Sequence, residues 1–160
     1  MQWLSTPRHR FTAPILPPTG KGYRAVLPVP AGVYQALGAA PPIRTRGTFD
    51  ANPFELAVLS DGTGGGKLLL AKAMLKALHK RIGDELKVEL QYDNSPYGMS
   101  LPPELAELFQ DAPELKHAFD TQYTPGKQRG LLHYIKSAKT EATRTKRILE
   151  LVRRLGVDPF

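Results

Sequence analysis

Hydrophobic periodicity changes once along this chain, and that change constrains the fold more than any single motif. From Arg8 to Asp93 apolar residues recur at period two in short runs broken by turn residues, whereas beyond the turn-rich stretch Asn94–Leu101 they recur at helical spacing. The pattern predicts two units, a β-rich one over 1–97 and a helical one over 98–160. At 160 residues, a chain buries roughly two thirds of its unfolded surface, enough for real cores without staples.

In the first unit the expected strands are Arg10–Leu16, Tyr23–Val29, Ile43–Asp50, Phe54–Leu59, Lys67–Ala71 and Glu85–Tyr92, with short helices at Ala31–Leu37 and Ala73–Lys80. Ala51, Asn52 and Pro53 are read as the connection of the central hairpin. Strand, short helix and alternating strand occur twice, the second strand ending in an aromatic residue and Asp: IRTRGTFD and LKVELQYD lie 43 positions apart. Two such halves predict a pseudo-duplicated small barrel, since closure removes exposed strand edges. The expected core is Phe11, Ile15, Val26, Leu27, Val33, Leu37, Phe49, Phe54, Leu56, Leu69, Met74, Leu78, Leu86, Val88 and Leu90.

Four helices are expected in the second unit. They start at Pro102–Pro103, at a capping box on Asp111, Pro113 and Glu114, at Thr124–Pro125, and near Thr140, the last ending at Gly156. Charge is split between them. Residues 101–124 carry five acidic side chains and one lysine, while 125–157 carry nine basic and two acidic, a net +7 that equals the charge of the whole chain. At about 100° per residue, Arg144 falls on the apolar side of the last helix with Ile148, Leu151 and Leu155. A guanidinium there keeps its charge and requires acceptors. Glu104, Glu107, Asp111 and Glu114 are candidates for a buried pairing, the alternative being an anion-binding arginine lining a pocket. Lys146, Arg153 and Arg154 fall on the polar side, where Glu150 is placed to neutralise Lys146 and Arg154. Weak, non-specific nucleic-acid binding at most is expected.

Candidate chemistry is sparse. SDGTGGGKLLL places Gly64, Gly65, Gly66 and Lys67 where successive amides could cradle a small anion. It fails as a Walker loop, with Asp61 where glycine is needed and Leu68 where Ser or Thr would hold magnesium, so a hairpin connection is the competing reading. Asp50 and Asp93 end the two repeated strands and could form a carboxylate pair or cap turns. His9, His79, His117 and His133 show no ligand spacing, and no metal or cofactor is expected. With no cysteine, thiol chemistry and disulfides are excluded, which fits a reducing, cytoplasmic setting. The most apolar window, Leu68–Leu78, is interrupted by Lys72 and Lys76, so no membrane span is expected.

The tail LPPELAELFQDAPELKHAFD followed by TPGKQRGLLHYIKSAKTEATRTKRI, with FTAPI, VLPVP, ALG and GDELKVEL ahead of it, resembles the YdeI/OmpD-associated, or bacteriocin-protection, family. Tyr134, Ile135, Ala138, Lys139, Thr143, Arg144, Arg147 and Ile148 occupy the family's tail pattern. Glu141-Ala142 departs from its usual Pro-Glu pair. The resemblance implies an AbrB-like or double-psi type barrel followed by a helical appendage, and a name alluding to bacteriocin or stress resistance. It brings no established catalytic residues. Two functions follow as expectations: a non-enzymatic binding module with an unknown protein or small-anion partner, or a ligand-binding barrel with enzymatic activity near Gly64–Lys67. Lys139, Thr143, Arg144 and Arg147 are the candidate binding residues of the tail.

Overall fold

The computed structural model describes residues 6–20 and 22–158. The chain divides into two compact units, Met1–Gly98 and Met99–Phe160.

Unit 1 is a curled, six-stranded antiparallel sheet, a half-barrel, with two short helices. In chain order its elements are β1 (Arg8–Pro14), β2 (Ala25–Val29), α1 (Ala31–Ala36), β3 (Ile43–Phe49), β4 (Asn52–Ser60), β5 (Gly66–Leu70), α2 (Lys72–Leu78) and β6 (Glu85–Tyr92). The strand order is β1-β6-β3-β4-β5-β2. Two residues past the end of β1, Leu16 forms an isolated bridge with Val26 of β2, the two exchanging N–H···O bonds of 2.8 and 2.9 Å.

The repeat read in the sequence is a repeat of structure. In β2–α1–β3 and β5–α2–β6, each strand pairs antiparallel with its counterpart: Ala25 faces Leu70 and Val29 faces Gly66, while Thr45 faces Tyr92 and Phe49 faces Val88. The terminal aspartates complete the relation. Asp50 N–H donates to the Lys87 carbonyl and Asp93 N–H to that of Arg44, both at 2.9 Å. The 43-residue offset maps one bond onto the other. β3 and β6 approach so closely that a Cβ on Gly47 would fall on the Glu89 carbonyl, so only glycine fits there.

Period-two alternation places Ala13, Ile15, Leu27, Ile43, Phe49, Phe54, Val58, Leu86, Val88 and Leu90 in one core. Phe49 and Phe54 stack with centroids 4.0 Å apart. Phe11, Val33, Leu56, Met74 and Leu78 pack against this cluster partly buried. The expectation for β5 is corrected by one residue: Leu68 and Leu70 are fully buried and Leu69 is on the other face. Three leucines in a row carry no alternation to choose between the phases. The hairpin turn is also displaced. It consists of Asp50 and Ala51, both at positive φ (47° and 71°), and Asn52 and Pro53 belong to β4. Two-residue hairpin loops require this left-handed backbone.

Unit 2 holds α3 (Pro103–Asp111), α4 (Pro113–Gln122), α5 (Pro125–Lys136) and α6 (Glu141–Leu155). Leu105, Phe109, Leu115, Phe119, Leu132, Ile135, Ile148, Leu151 and Leu155 form its core. The expected capping box does not form. Asp111 is the last residue of α3, and Ala112 caps α4 with no side-chain bond. α5 and α6 start where their caps predict, with Thr124 accepting from Lys127 N–H and Thr140 from Thr143 N–H. α6 ends on Gly156 at φ 71°.

Candidate functional site

The glycine loop resolves into a filled nest. Asp61 Oδ1 accepts from Thr63 N–H at 2.7 Å, Thr63 Oγ1 at 2.8 Å and Gly65 N–H at 3.1 Å, while Gly62 N–H donates to Ser60 Oγ. These bonds hold the Asp61 carboxyl below its usual pKa, the Thr63 N–H contributing most. Of the amides Gly64–Lys67, that of Gly65 is thus turned, with Thr63 N–H, to the chain's own carboxylate, while Gly66 and Lys67 pair with β2 and β4 in the sheet. The glycines have separate reasons: Gly62 and Gly64 take φ of 82° and 94° in the turn, and a Cβ on Gly66 would lie 2.6 Å from both the Tyr34 ring and Val58. Lys67 lies on β5, half-buried. The sequence carried the signal in Asp61, which precedes the glycines as the first residue of an Asx turn.

Asp50 and Asp93 lie at opposite ends of the β3–β6 pair, so they form no carboxylate dyad. Asp50 Oδ1 accepts from Lys87 N–H at 2.8 Å and its Oδ2 lies 3.3 Å from Lys80 Nζ. Its pKa is lowered, first by the Lys87 N–H and then, against an opposing effect of burial, by Lys80. Asp93 is buried, with Oδ1 accepting from Ser95 N–H and Oδ2 lacking a hydrogen-bond partner. Beside Asp50 runs an open groove of about 1030 Å³ whose charged lining is balanced, Arg10, Lys80 and Lys87 against Asp50, Glu85 and Glu89.

In unit 2 the tail-pattern residues mostly hold helices together. Arg144 Nε donates to Glu104 Oε1 at 2.9 Å, so α6 is pinned to the first turn of α3. Side-chain exposures of 28% and 25% make this pair half-buried, where the sequence suggested burial. The Glu104 carboxyl is held below its usual range by its own backbone N–H and by the Arg144 guanidinium. Arg147 donates to the Tyr134 carbonyl at 2.6 Å and to Ser137 Oγ at 3.2 Å, and its guanidinium lies 4.2 Å above the Tyr134 ring. It caps the end of α5, where a cation is favoured. The Thr143 hydroxyl accepts from Thr140 at the start of α6. Lys139 is exposed and makes no such contact among the described residues. The pattern therefore brings Arg144 and Arg147 into two separate helix contacts within unit 2.

One residue escaped the sequence reading. Gln128 is buried, and its Nε2 reaches the carbonyls of Phe119, Asp120 and Tyr123 at 3.4, 3.3 and 3.0 Å, satisfying the end of α4. A polar residue between Gly126 and Gly130 gives no sign of burial. Glu150 also departs from expectation. It accepts from Tyr134 Oη at 3.3 Å and forms no ion pair with Lys146 or Arg154.

Comparison with known proteins accounts for both units. Residues 11–90, half of the chain, match a domain of unknown function (DUF1905), and residues 99–156 match the family described as Bacteriocin-protection, YdeI or OmpD-Associated. The chain is 37% identical over 84 residues to the uncharacterized protein YdeI of Bacillus subtilis (strain 168). That match covers 51% of this chain and 42% of the relative, so the chain spans less than half of that protein's length. Together with the half-barrel and the helical unit built around the tail pattern, these matches make the chain a member of the YdeI/OmpD-associated family, with a DUF1905 domain preceding the tail.

Proposed function

We propose that this protein is a non-enzymatic interaction module with a part in bacteriocin or stress protection. The observation that carries the reading is the seat of the Asp61 carboxylate in the glycine loop, where it takes the Thr63 and Gly65 amides that a bound anion would use. The description of the matching tail family as bacteriocin-protection supports the protective role. The reading includes an AbrB-like or double-psi form for unit 1, supported by the pseudo-twofold pairing of its two strand–helix–strand units. A cytoplasmic setting is supported by the absence of cysteine.

The test is survival of a bacteriocin-sensitive bacterium carrying this chain. Expression raises the inhibitory concentration, and Asp50→Asn or Asp61→Asn variants that remain folded protect equally. Unchanged sensitivity with the protein present contradicts the protective role. Loss of protection in a folded carboxylate variant contradicts the non-enzymatic one.

The groove beside Asp50 favours a second reading, a small-anion or ligand-binding barrel with enzymatic activity. Its site is then the groove and not Gly64–Lys67. Saturable binding of inorganic phosphate, lost in Lys80→Ala and Lys87→Ala, would carry this alternative.

A further inference from the structure

We propose that the solvent face of α6 docks on the phosphate backbone of a nucleic acid through Lys146, Arg153 and Arg154, an inference that rests on the interaction-module reading. Of the nine basic side chains of the segment, Lys127, Arg129 and Lys139 lie outside α6, and the other six, Lys136 of α5 among them, divide into two groups. Lys136 is bonded to Ser100 at 2.9 Å, Arg144 to Glu104 and Arg147 to the end of α5, so these three serve the fold. Lys146, Arg153 and Arg154 are exposed and have no ion-pair or hydrogen-bond partner among the described residues. Glu150, four residues from both Lys146 and Arg154, pairs with neither and accepts from Tyr134 Oη, so its single negative charge leaves the three cations in excess on this face. Lys146 and Arg153 stand about 10.5 Å apart along a helix whose far side is locked into the core.

The partner's chemistry follows from what else the face presents. Membrane docking by a helix needs its apolar side outward, and here Ile148, Leu151, Val152 and Leu155 are buried in the bundle. A protein interface needs a central desolvated anchor, and the face offers only Leu149, 42% exposed, among the cations. A regularly charged backbone requires cations and little else. The exposed ring nearby, Tyr134, already carries Arg147 on its face, so base stacking is not provided and binding is indifferent to sequence.

Fluorescence anisotropy of a short labelled DNA duplex against the full chain tests this. Three phosphate contacts give a log–log salt slope of about −2.7, an affinity loss of about 40-fold between 50 and 200 mM salt. The variant Lys146→Gln/Arg153→Gln/Arg154→Gln loses at least about tenfold in affinity at the low-salt end, and its slope falls toward zero. It still unfolds in one cooperative transition, with at most a small fall in melting temperature from the two cations lost at the end of α6, because all three side chains are exposed. Arg8→Gln/Arg10→Gln in unit 1 binds like the parent. No saturable binding at low salt, full binding by the triple variant, or binding to phosphatidylserine vesicles but not to duplex would overturn the proposal. Any of these leaves the protection assay free to succeed, so the two readings fail separately.

Discussion

Arg144 and Glu104, forty residues apart, meet through a 2.9 Å Nε–Oε1 bond that ties the last helix to the first turn of α3. Arg144→Ala is expected to lower the melting temperature clearly more than Arg153→Ala, which removes an unpartnered side chain. Combining Arg144→Ala with Glu104→Ala should be non-additive beyond the scatter of independent sites. Equal melting of the two single variants would show that the pair does not hold the helices.

The phase of β5 is tested by neighbouring leucines. Leu68→Ala empties a fully buried site and should cost about 2–5 kcal/mol, whereas Leu69→Ala, on the opposite face, should cost under about 1 kcal/mol. Chemical denaturation of both variants decides it, and the reverse order would place the register one residue away.

How much of this was legible varies from element to element for physical reasons. Thr124, Thr140 and Gly156 marked helix ends because their capping chemistry is local, and the position of Arg144 followed from helical geometry alone. β5 was misphased because LLL has no period. The hairpin turn was misplaced because Ala51 does not advertise a left-handed backbone, and Pro53 reads as a breaker although it is tolerated near a strand end. The use of Asp61 against its own loop, and of Gln128 against the end of α4, depends on backbone geometry that spacing does not reveal.

Ala51 at φ 71° occupies a position that suits glycine. Ala51→Gly should stabilise the protein by about 0.5–1 kcal/mol, the relief of left-handed strain exceeding the added chain entropy. Destabilisation in urea melts would argue against this turn.

Acid should weaken the fold. Asp50, Asp61 and Glu104 have lowered pKa values, so in acid the unfolded chain binds more protons than the folded one. Their contribution is complete above the ordinary values of 3.8 and 4.5 and is lost as pH falls through the lower folded values. Asp50→Asn/Asp61→Asn should flatten this decline in pH-dependent melts. An unchanged slope would indicate that other groups govern it.

Residues that look chemical are engaged by the fold itself, and the Asp61 nest is the clearest instance. Amide NMR of the protein titrated with inorganic phosphate reads the nest directly. The account predicts no saturable shifts for the amides of Gly62, Thr63 and Gly65, which already donate to Ser60 and Asp61. Saturable, phosphate-dependent shifts confined to those amides would show an open anion site and contradict it.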